Sequence, residues 1–369
     1  MLAKSQTEPL IFTPLQAQPP PLSLVGPIGW LRENLFNGWF NSVLTIACIL
    51  FLAVAIPPLL SWSIFNASWT GSPETCQEAS GACWTFIGHK IQIFLVGPYP
   101  ASEVWRPAVA GILLLLLSLG TAMRFFNKYT AITLWLLFPV VGFWLINGGW
   151  LLTTVDQSRW GGLMLSIGLA LVGILVSIPL GIMLALGRRS DIITIKSLCV
   201  GVIEPVRGVP LITILFMASV MMPLFLPENL QINNMLRVQI GIILFSSAYM
   251  AEVVRGGLQA VPRGQVEAAT ALGLNFWKMN YLVVIPQALR HVLPSLVGRC
   301  IALFKDTSLV IIVGLLDFLG MAKAAAQDSN WLGYDAEAYI FCALVYWVIC
   351  FSMSRYGRSI ELRGATQKQ

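Results

Sequence analysis

Charge is what this sequence has least of. Only 11% of its 369 residues are Asp, Glu, Lys or Arg, and only two are His, whereas a soluble globular domain carries roughly 25% charged residues. That scarcity excludes an ordinary water-soluble fold. The chain has no Gly-x-x-x-x-Gly-Lys-Ser/Thr phosphate loop, so ATP hydrolysis is not expected of it. His89 and His291 lack a second ligand at metal spacing, and no catalytic dyad is present, so neither a metal site nor an enzyme is expected. A secretory signal is missing as well. Residues 1–28 are polar and punctuated by Pro9, Pro14, Pro19, Pro20, Pro21 and Pro27, with no apolar core and no small-residue cleavage site. Residues 1–38 therefore read as a disordered cytoplasmic tail.

What the sequence does have is apolar length. Hydrophobic residues make up 57% of it, its mean hydropathy is +0.76, and several apolar runs approach the ~20 residues that cross a bilayer. The formal charge of +6 is scattered between those runs rather than clustered. This argues against a nucleic-acid partner and for basic loops beside a lipid bilayer. Eight spans are predicted, at 39–61, 107–122, 131–151, 161–187, 195–222, 238–254, 292–316 and 338–354. With the N-terminus inside, fifteen Lys and Arg fall in inner segments and five in outer ones, while Arg207, Arg299 and Lys305 lie within spans. The bias predicts both termini in the cytoplasm.

The outer segment 62–106 is long and aromatic, and it holds Cys76 and Cys83, the only cysteines outside the apolar runs. An oxidising compartment permits a disulfide between them, the alternative being free thiols. The other five cysteines are expected to pack as small hydrophobes.

The segment that leaves the sixth span differs from a short polar loop. It runs from Arg255-Gly256-Gly257 through Val261-Pro262-Arg263-Gly264-Gln265 and Glu267-Ala268-Ala269 to Gly273, then to Val283-Val284-Ile285-Pro286. Two short helices along the membrane surface are expected. Ala268 and Ala269 keep the first one slim, Gly273 permits a sharp turn, and Pro286 interrupts the second. The segment holds no nucleophile, metal cluster or phosphate loop, so its role is mechanical rather than catalytic. An interfacial amphipathic segment is the plainer alternative.

These residues resemble the EAA motif of bacterial ABC importer permeases. Glu267, Ala268, Ala269, Gly273 and Pro286 match outright, and Val283 and Ile285 stand for the motif's Ile and Leu. The flanking runs Ala248-Tyr249-Met250-Ala251-Glu252, Pro286-Gln287-Ala288-Leu289-Arg290 and Lys305-Asp306-Thr307-Ser308-Leu309 look like the polar amino-acid branch. Arg207-Gly208-Val209-Pro210 resembles that branch's Arg-Gly-Thr-Pro element, with Val209 in place of threonine. The resemblance covers about 158–362. The three extra spans in 39–157 look like the longer permease of the general L-amino-acid (Aap/Bzt-type) uptake systems.

The resemblance implies an all-α polytopic membrane protein of about eight helices. Three N-terminal helices would precede a five-helix type I ABC importer core, with a coupling loop at 255–290 and a cytoplasmic tail at 363–369. It also implies a bacterial inner-membrane location and several partners: a second, shorter permease, two ATPase subunits at the coupling loop, and a periplasmic amino-acid-binding protein. Transport would proceed by alternating access.

A zwitterionic amino acid needs a cation for its carboxylate and an acceptor for its ammonium. Arg207 is the candidate for the first, because Pro205, Gly208 and Pro210 should break the helix there and free backbone groups at membrane depth. A structural pair with Glu204, three residues away, is the alternative. Gly208 and Pro210 complete the break, and Tyr249, Glu252, Asp306, Thr307 and Ser308 could supply the ammonium partners. Glu252 could instead pair with Arg255 or Arg263, and Asp306 with Arg299 or a partner subunit. The competing class is an ion-coupled secondary amino-acid transporter, which predicts internal repeats with paired broken helices. Only one clear break is visible.

Overall fold

The computed structural model describes residues 26–78, 80–227 and 231–366, with side chains as far as Glu361. The chain divides into two units, residues 1–67 with 79–82 and the remainder. In the first unit, helix α1 spans Gly26–Asn34 and α2 spans Trp39–Leu60. Of the tail expected to be disordered, residues 1–25 lie outside the described residues, and Gly26–Asn34 is helical instead. Pro57 and Pro58 remove two N–H donors near the end of α2, which continues as a π turn over Ser61–Phe65. No residue of α2 is buried within the chain, so its apolar surface requires hydrocarbon or another subunit.

In the second unit, α3 (Pro73–Glu78) and α4 (Trp84–Val96) lie within the segment read as the outer loop. Then come α5 (Trp105–Ala122), α6 (Lys128–Asn147), α7 (Gly162–Arg188), α8 (Ile193–Gly208) and α9 (Leu211–Phe216), which runs through a π turn into α10 (Met222–Phe225). They are followed by α11 (Asn234–Ala260), α12 (Arg263–Ala271), α13 (Phe276–Met279), α14 (Ile285–Asp306), α15 (Phe318–Ala326) and α16 (Asp335–Thr366). Helix α16 thus takes in residues 363–366 of the expected C-terminal tail, and 367–369 lie outside the described residues. Among the described residues there are isolated β-bridges but no strand.

Among the described residues, six helices are long and apolar enough to cross a bilayer, and a seventh span exists if α8 and Leu211–Phe225 are one crossing bent by 110°. The count of eight is not reached. The span expected at 292–316 falls on α14, which carries Arg290, Arg299, Lys305 and Asp306, and then tightens into a 3₁₀ turn over Thr307–Val313. Its composition, not its length, sets it apart.

Helix α11 is the buried centre of the second unit, packed on α7 and α14. Glycines set the closeness of both contacts, because lipid gives helices no hydrophobic drive to associate and packing must do the work. A Cβ on Gly181 of α7 would meet Met250 Cβ at 2.5 Å, and one on Gly257 of α11 would meet the Ala288 carbonyl oxygen at 2.5 Å. Around the other end, α4 lays Phe86 and Phe94 against Phe318, Trp331 and Phe341 of the α15–α16 region. The Cys83 N–H donates to the buried Glu337 Oε1 (3.0 Å), and Lys90 pairs with Asp328 at 2.6 Å. Cys76 and Cys83 form a disulfide with Cα atoms 5.6 Å apart. Arg106, almost fully buried, pairs with Glu103 (2.8 Å) and donates to the Thr153 carbonyl (2.7 Å), tying the start of α5 to the chain that follows α6.

Candidate functional site: a charged break and a projecting segment

Two features of the second unit carry the functional candidates, and α11 connects them. The first is the break between α8 and α9. Pro205 lies within the last turn of α8, and Pro210 starts the next helix. A proline cannot donate to the preceding turn, and it holds the residue before it out of helical geometry. Val209 accordingly adopts an extended conformation (φ −114°, ψ 139°), and the chain turns by 110°.

At this break Arg207 pairs with Glu252 of α11 at 3.3 Å, not with Glu204. Glu204 instead pairs with Arg188 at the end of α7 (2.7 Å), and Arg188 also reaches Glu252 at 3.5 Å. Arg255, one turn along α11, binds the other oxygen of Glu252. Glu252 is thus shared by three guanidiniums drawn from α7, α8 and α11. Tyr249 lies one turn earlier on α11. Its hydroxyl donates to the Arg207 carbonyl (3.3 Å), its ring packs on Phe245 (4.7 Å), and the Arg207 guanidinium sits 5.7 Å from its centre. Arg299 of α14 sits closer to the same ring, at 4.3 Å.

Arg207, Tyr249 and Glu252 therefore come together, with Gly208 and Pro210 exposed beside them. Asp306, Thr307 and Ser308 do not join them through any hydrogen bond or ion pair among the described residues. The Thr307 hydroxyl is buried and donates to the Phe304 carbonyl (2.8 Å), and the Ser308 hydroxyl donates to the Lys305 carbonyl (2.8 Å). Both hydroxyls are engaged by their own helix. Arg188 and Arg299 are the members that sequence reasoning missed as site residues. Arg299's place inside a predicted span was the available signal, whereas Arg188 sits at a helix end where basic residues are ordinary.

The second feature hangs from the far end of α11. After Val261-Pro262 the chain forms α12, which is closed by Gly273 in the left-handed region (φ +73°). The Leu274 N–H reaches the Ala269 carbonyl (3.2 Å), and the Gly273 N–H reaches that of Thr270 (2.9 Å). This is the paired arrangement that satisfies the last carbonyls of a helix. The two alanines of the motif part company. Ala269 is buried, while Glu267 and Ala268 are exposed; Val266, one turn earlier, packs against the cluster that holds Leu258, Val261, Val284 and Ala288. On either side of the turn, Leu272 and Trp277 are 80% and 73% exposed, so the segment carries exposed apolar surface as well as Glu267. The expected second surface helix is only the four residues of α13. It passes through a π turn over Asn280–Val284 directly into α14. Pro286 interrupts nothing: it occupies the first turn of α14, where a missing N–H is tolerated. Among the described residues no group of His, Cys, Asp and Glu could hold a metal ion.

A broken, charged span joined through one helix to a segment that leaves the bundle is an arrangement suited to the membrane subunit of a transport system. Residues 177–363 match the family described as "Binding-protein-dependent transport system inner membrane component", and the chain belongs to this family, among its amino-acid ABC transporter permeases. It is 48% identical over 341 residues to the inner membrane amino-acid ABC transporter permease protein YhdY of Escherichia coli, covering 90% of this chain and 92% of the relative. It is 39% identical to the glutamate/glutamine/aspartate/asparagine transport system permease protein BztC of Rhodobacter capsulatus, covering 94% and 96%. The probable glutamine ABC transporter permease protein GlnP of Bacillus subtilis, at 28% identity, matches 55% of this chain with 92% of its own length. The chain is a transport component of an ABC importer, a class of system that implies ATPase subunits and a binding protein, and the ion-coupled alternative finds no support among these relatives.

Proposed function

We propose that this chain is the longer of two permeases in a bacterial inner-membrane importer of amino acids, with both termini in the cytoplasm and no ATPase site of its own. A periplasmic receptor delivers the substrate, and a shorter homologous permease completes the pathway. The supporting observation is that α11 carries both features: Tyr249 and Glu252 at the break, and the Glu267–Gly273 segment at its end. Two ATPase subunits, which bind ATP and Mg, dock against Glu267 and the exposed Leu272 and Trp277 of the same segment. Their closure displaces α12, and α11 transmits the movement to the break, exposing the pathway alternately to each side.

The Arg207–Glu252 pair has the charge pattern of a zwitterion. An amino acid inserted there would place its carboxylate on the Arg207 fork and its ammonium on Glu252, exchanging one internal pair for two intermolecular ones. Residues 39–157 add three helices and the cysteine-bearing segment. In this reading α3–α4 brace the core at its outer end.

The test is Arg207→Ala in proteoliposomes containing the whole complex. Losing a charge-assisted hydrogen bond, ~1.5–3 kcal/mol, should raise the KM for uptake roughly ten- to hundredfold. Unchanged uptake together with unchanged substrate-stimulated ATP hydrolysis would remove Arg207 from the site.

A further inference from the structure

The cations around Tyr249 outnumber the carboxylates. Arg188, Arg207 and Arg255 share Glu204 and Glu252, but Arg299 makes no ion pair or hydrogen bond among the described residues. Its guanidinium packs on the face of the Tyr249 ring, 4.3 Å away. An arginine inside a membrane bundle is costly and ordinarily faces a cavity, a counter-charge or a ligand. A neutral phenol attracts a guanidinium but leaves its charge and its five donors uncompensated. Asp306, the nearest acidic residue along α14, lies seven positions on, about 10 Å along a helix; it feels the Arg299 charge at a distance but makes no ion pair with it among the described residues, so the guanidinium's donors stay unengaged.

Arg299 is also only partly buried and so remains open to a ligand. It shares the Tyr249 ring with Arg207, whose charge is already opposed by Glu252 at 3.3 Å. A zwitterion set between Arg207 and Glu252 leaves that balance unchanged and brings no carboxylate to the Arg299 donors. A substrate bearing one further negative charge supplies it. We propose that Arg299 is a specificity-determining residue that receives the side-chain carboxylate of an acidic amino acid, with the Tyr249 ring as its rigid backing. This rests on the reading of the Arg207 break as the substrate site.

The test compares L-glutamate with L-glutamine, which match in shape and differ in side-chain charge. Both compete for the permease–ATPase complex in detergent without receptor, so that receptor selectivity does not enter. Wild type should prefer glutamate roughly ten- to hundredfold, the worth of one charge-assisted hydrogen bond. Arg299→Gln should bring the ratio close to one, and Arg299→Lys should retain part of the preference. An unchanged ratio in Arg299→Gln overturns the proposal, as does a wild-type complex without preference for glutamate. Equal loss of both ligands in the Gln and Lys variants also overturns it, because that marks a packing role. If wild type binds neither ligand, the substrate site is elsewhere and the reading of Arg207 falls with it.

Discussion

Replacing Gly273 tests whether a single backbone conformation carries the coupling segment. The residue sits at φ +73° and closes α12 through the Leu274 N–H to Ala269 and Gly273 N–H to Thr270 bonds. A Cβ added there would meet no heavy atom within 4 Å, so substitution acts through backbone conformation alone. A left-handed residue other than glycine costs about 1–2 kcal/mol, less for asparagine, whose short polar side chain tolerates this region. The ratio of turned to unwound segment should therefore fall roughly 5- to 30-fold for Gly273→Ala. Gly273→Val should cost more, because branching at Cβ makes a positive φ a true outlier, and Gly273→Asn should cost least. The assay is amino acid imported per ATP hydrolysed by the complete complex in proteoliposomes, with membrane insertion as the control. Coupling should decline in the order Asn, Ala, Val. If asparagine is as damaging as alanine, conformation is not the cause, and if valine couples like wild type, the turn is not part of the lever.

Two further outcomes follow from the same geometry. Gly257→Val should lower the melting temperature of the solubilised chain by the equivalent of ~1–3 kcal/mol of overpacking, because its Cβ meets the Ala288 backbone. Gly256→Ala should be near neutral, since its Cβ finds open space. The Lys90 ammonium beside Asp328 holds that carboxyl below its ordinary value of 3.8. A depressed carboxylate stabilises the fold fully above its ordinary value and loses that contribution as pH falls through the lowered one. Amide protection of Trp84–Val96 should thus stay level from neutral pH to 3.8 and fall in stronger acid, and Lys90→Met should shrink the acid step, leaving the part that the Asn330 N–H sustains.

The parts legible in the sequence are those dictated by local chemistry. Pro205, Gly208 and Pro210 announce the break because they act on their own backbone, and Gly273 announces the turn for the same reason. The pairing of Glu252 with Arg188 and Arg207 was not legible, because it depends on how α7, α8 and α11 pack. The sequence offered Glu204 as the neighbour of Arg207, but packing gave Glu204 to Arg188. Pro286 misled for a related reason: a proline reads equally as the end of one helix and the first turn of another. The amphipathic α4 went unnoticed because its 13 residues are too short to span, and the partners of its apolar face lie more than two hundred residues away. Of the two alanines of the motif, only the structure reveals that Ala269 anchors and Ala268 presents.

The central claim is that movement powered by separate ATPases enters through Glu267–Gly273 and moves an amino acid past Arg207. The most direct measurement is uptake of radiolabelled amino acid into proteoliposomes holding this chain, its partner permease and the ATPases, with receptor on the outer side. Uptake should require both receptor and ATP inside, survive collapse of all ion gradients, and cease when Gly273→Val uncouples hydrolysis. Uptake driven by an ion gradient in the absence of ATP would contradict the account.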